Sequence, residues 1–520
     1  MIRTGAGLYY DLMGQPLAGT FSGNMFGLSS SVSNPGNVLT AVTAPRFTDF
    51  WSVPASLVPP APKGGFPVTF PKAFQITGGL DDKLAAPYTM NLNFSIAREL
   101  PRGFLVQGSY VGRLSRRSLI QRDIAMPTNL RDPKSGQTYF QAMTQLALLE
   151  DYGGLRTAIR NNNDVSQVPK IPFFENMWAT AATGGYTATQ IIAKDLAQNS
   201  AIGDFTNTLA NMDEYCSTSG TKMSGALLKP SAIACSVLGP NAIFNGQFSA
   251  LSAWSSIGKG NYHAMQWTVS KRMGDSQFDV NYTFSKSIDL ASASERTGSY
   301  GSAFLINTWN PSQLRAVSNY DVTHNLNAWF MAGLPFGRGK MLGRNANRIL
   351  DAFIGGWQIT GTFRASSGLP TSATDGSRWA TNWQLSSFAT PLGPVPATTS
   401  TKNGPAPSTG ATPGPNLWSD PAAALAAFWS ETMPGQTGSR NTIRGQGYFD
   451  IDSGLGKSFT MPWSERQKLQ FRWESFNLTN TVRLDPRSAS IGLTSTSSWG
   501  KLSGVLGAAR QMQFALRYMF

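Results

Sequence analysis

The chain contains no apolar run approaching the ~20 residues that a membrane-spanning helix needs. Its longest, Pro421-Ala-Ala-Ala-Leu-Ala-Ala-Phe-Trp429, is far too short and is flanked by loop composition. Charge is scarce too: 14% of residues, against roughly a quarter in soluble domains. Acidic residues are the scarcer sign, 29 against 43 basic, for a net charge of +14. Such a balance ordinarily suggests nucleic acid or anionic lipid, but Lys and Arg are scattered, and the missing dense basic run argues against nucleic acid. With two histidines and two cysteines, no Cys/His metal spacing exists.

What is abundant is Gly, Ser, Thr, Asn and aromatics, arranged with a period of two. At the C-terminus Met512, Phe514, Leu516, Tyr518 and Phe520 alternate with Gln511, Gln513 and Arg517. Met90, Leu92, Phe94 and Ile96 repeat the pattern, as do Phe278, Val280, Tyr282 and Phe284, Trp357, Ile359 and Phe363, and Leu469, Phe471 and Trp473. One apolar and one polar face per strand suits a wall with lipid outside and water inside. Lipid leaves a closed β-barrel as the only strand-built way to satisfy backbone N–H and C=O groups. Tyr9, Tyr10, Tyr282, Phe284, Trp357, Tyr518 and Phe520 fall near strand ends, where interfacial aromatic girdles belong.

Connection lengths separate a barrel from a soluble sandwich. Tight turns at Glu99–Gly103, Met273–Ser276 and Met461–Ser464 alternate with long polar connections at about 11–86, 113–259, 289–321, 367–445 and 479–509. That alternation predicts periplasmic turns and extracellular loops. One connection, 336–353, is longer than a tight turn and is expected to hold a helical turn at Asn345–Asp351. Short helices are expected at 140–150 and 188–198, and the Pro/Thr/Gly/Ser-rich stretch 391–417 is expected to be mobile. The reading is all-β: an antiparallel transmembrane outer-membrane β-barrel portion of about 10–12 strands, the extra two near 68–78 and 116–125.

Little suggests catalysis. Lys457-Ser458 after Gly454 and Gly456 looks like the end of a phosphate loop, but Ile451 stands where its first glycine belongs. Asp450 and Asp452 share a polar face and Asp81-Asp82 are adjacent, without visible acid–base partners. His263 and His324 read as rim hydrogen-bonding residues rather than ligands. Arg338, Lys340, Arg344 and Arg348 form the densest basic cluster, a solvated turn or, alternatively, a phosphate or headgroup contact. Cys216 and Cys235 would close a loop worth about 3 kcal/mol in an oxidising compartment; two free structural thiols are the equal alternative. No catalytic, cofactor or metal residue is assigned, and the chain is not expected to be an enzyme.

The terminal strand resembles the assembly signal of bacterial outer-membrane barrels, which implies that Phe514, Leu516, Tyr518 and Phe520 are read by the barrel assembly machinery. Asn261-Tyr-His-Ala-Met-Gln-Trp-Thr-Val-Ser-Lys-Arg272, Asp321-Val-Thr-His-Asn, Leu334-Pro-Phe-Gly-Arg-Gly-Lys340, Gly356-Trp-Gln-Ile-Thr-Gly361 and Gly447-Tyr-Phe-Asp-Ile-Asp452 resemble TonB-dependent receptors of the Oar-like group. The resemblance implies a 22-strand barrel in the cell outer membrane. It also implies uptake of a solute driven through a plug domain that contacts the TonB complex. Signal peptide and plug are not found in 1–520, so the expectation is the C-terminal barrel half of such a receptor, a fragment with outer-membrane lipid as its surroundings. A passive porin-like small barrel and a secreted β-rich binding or adhesion protein are the alternatives.

Overall fold

The computed structural model describes residues 1–11, 17, 75–151, 154–199, 205–214, 216, 233–244, 248–292, 304–376, 387–429, 433–461, 463–493 and 495–520. Among the described residues ten strands make the wall: β1 (Ile2–Tyr10), β2 (Tyr88–Leu100), β3 (Phe104–Asp123), β4 (Phe248–Met273), β5 (Ser276–Asp289), β6 (His324–Gly333), β7 (Trp357–Ser366), β8 (Tyr448–Met461), β9 (Ser464–Phe476) and β10 (Gln511–Met519). They follow one another in chain order along one hydrogen-bonded path, and each pair is antiparallel. Among the described residues β1 and β10 are the ends of that path, each with a single neighbour on it.

Register explains why the sequence alternates. Val106, Val269, Val280, Ala328, Phe363 and Ile451 lie side by side on β3 to β8. One residue further along each strand, Gln107, Thr268, Asn281, Asn327, Arg364 and Asp450 form the next row. Successive side chains point to opposite faces, so the wall has one apolar surface and one polar surface. Rings on the apolar face lie flat over glycines of the adjoining strand. A Cβ on Gly361 would stand 2.5 Å from the Phe330 ring, and one on Gly108 would stand 2.9 Å from Trp267. The absent side chains thus make room for neighbouring aromatics.

One end of the wall is closed by tight connections. Between β2 and β3 the turn Pro101–Gly103 uses left-handed backbone at Arg102 (φ 68) and Gly103 (φ 74). The β6–β7 connection holds a short helix, capped where the Asn347 side chain accepts from the Leu350 amide at 2.8 Å. It spans Arg348–Ile354, three residues later than the expected helical turn.

The other end departs from expectation. β3 and β4 run well past the bilayer-length pattern, so the connection read as 113–259 spans 124–247. Residues near 116–125 continue β3 rather than forming a separate strand; of the other candidate, 68–78, only Gln75–Leu80 is described, and it lies parallel on β4. Ser252, Ala253, Trp254 and Ser255 are all buried, so this stretch has no solvent or lipid face to impose alternation. Most of the 11–86 connection lies outside the described residues.

Among its described residues the β3–β4 connection carries five α-helices: α1 (Tyr139–Asp151), α2 (Leu155–Asn162), α3 (Pro172–Met177), α4 (Ala188–Asn199) and α5 (Phe205–Asp213). They enclose their own core of Tyr139, Met143, Leu146, Phe173, Phe174, Trp178, Ile192, Leu196 and Phe205. The Trp178 indole donates to the Met212 carbonyl at 3.0 Å. Cys216 and Cys235 are joined in a disulfide beside it. Within the stretch 391–417, Thr401–Gly404 pairs with Gly414–Asn416, and just beyond it Trp418 stacks on Trp499 at 5.7 Å in a second small core.

Candidate functional site

The polar face of β7, β8 and β9 contains a cavity of about 390 Å³. Gln358, Thr360, Ser458, Gln470, Arg472 and Glu474 line it, and Gly454 and Gly456 leave its floor without side chains. Arg472 is paired with Glu474, which also accepts from Gln513 of β10. Lys340, from the β6–β7 connection, stands 3.6 Å from Asp275 at the cavity edge. Amides, hydroxyls and internally balanced charges suit a polar solute whose hydrogen bonds replace those to water.

At the long-connection end, four arginine–aspartate pairs tie segments distant in sequence to the strand ends. Arg122 reaches Asp81 at 2.7 Å, and Arg483 reaches Asp450 at 2.6 Å. Arg440 pairs with Asp289, and Arg444 with Asp321. The Arg440 guanidinium is 7% exposed and also donates to Ser292 and Asn319. Buried guanidinium groups need such carboxylate and hydrogen-bond partners to offset desolvation. The pairs hold the 433–445 and 479–509 connections against β5, β8 and the segment before β6.

The helical insert joins the same assembly. Phe140 packs edge-to-face on Trp309 at 5.9 Å, and Asn307 and Gln313 donate to the carbonyls of Gly435 and Thr437. Between α1 and residues 434–436 lies an open, largely apolar groove of about 830 Å³, bordered by Phe140, Leu148 and Leu149. Within the insert, burial pushes the Asp132 carboxyl up, but hydrogen bonds from Asn176 and Ser135 outweigh it and hold the pKa at about 2. This contribution to stability is complete above the ordinary value of 3.8 and is lost as pH falls towards 2. Burial raises the Asp213 carboxyl, against donation from the amides of Phe244, Ile243 and Ala242.

The residues singled out by sequence are spread over the wall. Phe514, Leu516 and Tyr518 form the apolar row of β10, 71%, 69% and 46% exposed, with Phe520 just beyond the strand. His263 and His324 are exposed on the apolar face, where each ring nitrogen Nδ1 meets a tyrosine hydroxyl of the preceding strand, Tyr110 at 2.8 Å and Tyr282 at 2.7 Å. Asp450 and Asp452 are not partnerless. The first binds Arg483; the second accepts from the Asn477 amide at 2.9 Å. Lys457 lies on the apolar side of strand β8, which rules out a phosphate-loop conformation. Sequence reasoning missed Arg122, Arg440, Arg444 and Arg483, whose partners are up to 151 positions away.

Among the described residues no three His, Cys, Asp or Glu side chains gather as a metal site. No helix of the described residues is long and apolar enough to cross a membrane. A family model described as an outer membrane beta barrel domain matches residues 1–513. No curated protein matches the chain. Among solved structures, the outer membrane transporter YddB from Escherichia coli is similar at 7% identity and a TM-score of 0.34, over 86% of this chain and 34% of its own. The chain thus spans about a third of that transporter.

Proposed function

The chain belongs to the outer-membrane β-barrel domain family, and on that premise we propose that it is the wall and outer-loop portion of a TonB-dependent transporter. The observation that carries this reading is the open wall. β1 and β10 each leave one edge without a strand neighbour among the described residues. In lipid an unpaired N–H or C=O costs several kcal/mol, so both edges must be paired, and strands of a larger transporter barrel are the partners this reading supplies. Solute passage, not catalysis, is the activity, and the polar face with its cavity is the surface the solute meets. The tight turns face the periplasm and the long connections the exterior. Coupling to TonB requires a plug domain.

The second reading is a passive pore. The ten described strands in one antiparallel path leave β1 and β10 running in opposite directions, a geometry in which they can pair with each other. Expression with an export signal, followed by gel migration of outer-membrane material with and without boiling, separates the two. Heat-dependent migration together with a steady open conductance in planar bilayers supports the pore. Insertion only when an upstream plug-and-strand segment is co-expressed supports the coupled transporter.

The β10 row is proposed as the contact for the barrel assembly machinery. Phe514→Ser with Tyr518→Ser is expected to lower the outer-membrane amount by roughly tenfold, since both the signal and the lipid-facing area are lost. Gln511→Ser with Gln513→Ser, on the other face of the same strand, should leave it near normal. Equal losses in both double variants, measured by immunoblot of fractionated cells, would count against a role for the row.

A further inference from the structure

The connection between β6 and β7 contains α6 (Arg348–Ile354), and its surroundings are unusually apolar for an exposed turn. Met341 is 80% exposed, Ile349 74% and Phe353 71%. Ile349 and Phe353 are four residues apart and share one face of the helix. Arg338, Lys340, Arg344 and Arg348 are exposed around them. Lys340 faces Asp275, whereas among the described residues Arg344 and Arg348 pair with no carboxylate.

Two side chains fix where this helix hangs. The Trp357 indole donates to the Phe353 carbonyl at 2.7 Å, and the Lys457 ammonium donates to the Ala352 carbonyl. Trp357, Lys457, Phe471 and Leu516 are neighbours in one cross-strand row of the apolar face. Lys457 is itself covered, with its ammonium 5.5 Å from the Trp357 ring and 4.7 Å from the Phe459 ring. The last turn of α6 is therefore fastened to the lipid-facing surface. At the same end of the wall, Trp463 (72%) and Met273 (50%) add exposed apolar groups at the other tight turns.

We infer that the β6–β7 connection is a membrane-interfacial anchor, with Met341, Ile349 and Phe353 in the acyl boundary and Arg338, Arg344 and Arg348 on anionic phospholipid headgroups of the inner leaflet. A short helix with apolar side chains on one face and cations beside them lies in the headgroup plane. Water would leave those apolar side chains uncovered; the surface is continuous with the lipid-facing wall, and its charge complements phosphodiesters. The leaflet assignment rests on the periplasmic placement of the tight turns.

Photo-crosslinking tests it in cells making the full chain. p-Benzoylphenylalanine replaces Ile349 or Phe353, or Thr409 in a long connection as the control, and phosphate-containing lipid is radiolabelled before illumination. Chain recovered from the outer membrane should carry labelled phospholipid at positions 349 and 353, at least ~5-fold above position 409. Arg338→Gln, Arg344→Gln and Arg348→Gln together should reduce that label several-fold without changing the amount of chain in the membrane. Label equal to the control, or crosslinks only to protein, would overturn the anchor. Crosslinks to lipopolysaccharide, seen as a ladder, would instead overturn the periplasmic placement of this end.

Discussion

Asp289→Ala is expected to destabilise the long-connection end by about 3–5 kcal/mol, because it leaves the Arg440 guanidinium buried without its carboxylate. Asp289 is only 12% exposed as a side chain and Arg440 7%, so solvent cannot substitute for the lost partner. Ser292 and Asn319 would still accept from Arg440, but neither carries charge. Asp289→Leu combined with Arg440→Met should recover most of the loss, since replacing a buried pair as a unit is often neutral. Arg487→Ala is the contrasting case: Arg487 is 60% exposed beside Asp485, and an exposed pair contributes about 0–1 kcal/mol. Hydrogen exchange over residues 433–445 reads the difference. Unchanged protection in Asp289→Ala, or a double variant no better than the single, would show that Arg440 does not hold this connection.

The wall was legible because lipid and water impose opposite chemistry on alternate residues. Phe278, Val280, Tyr282 and Phe284 could be assigned to one face without any knowledge of their neighbours, and the pairing registers respect that assignment. The same logic fails where both faces are covered. Around Trp254 the chain is strand, yet nothing alternates, so its sequence looks like loop. The helices at 139–151 and 188–199 coincide with the short helices expected at 140–150 and 188–198, whereas the stacking of Trp418 on Trp499 joins residues without any local signal. The arginine–aspartate pairs were hidden for the same reason. Arg483 sits in an ordinary polar segment, and only the return of that segment to β8 brings it to Asp450. Long-range pairing chosen by topology leaves no period in the sequence.

Substituting adjacent residues of one strand gives the sharpest check on which face meets lipid. Val280 lies in the apolar row with Val269 and Ala328, and Asn281 in the polar row with Thr268 and Asn327. Val280→Arg should cost about 2–4 kcal/mol, the cost of placing a guanidinium near the bilayer midplane. Asn281→Arg adds the same charge to the same strand, but on the face carrying Asp279 and water-compatible side chains, and should cost well under half as much. Helix or strand propensity cannot explain such a split, because one residue type is introduced at neighbouring positions of one strand. A soluble sheet packed on an apolar layer would also resist Val280→Arg, so the solvent must be varied as well. In urea unfolding from bilayers of increasing hydrocarbon thickness, the Val280→Arg cost should grow as the arginine sits deeper, while the Asn281→Arg cost stays flat. A cost independent of thickness would mean that Val280 packs against protein, and that the apolar face is a buried core rather than the outside of a barrel.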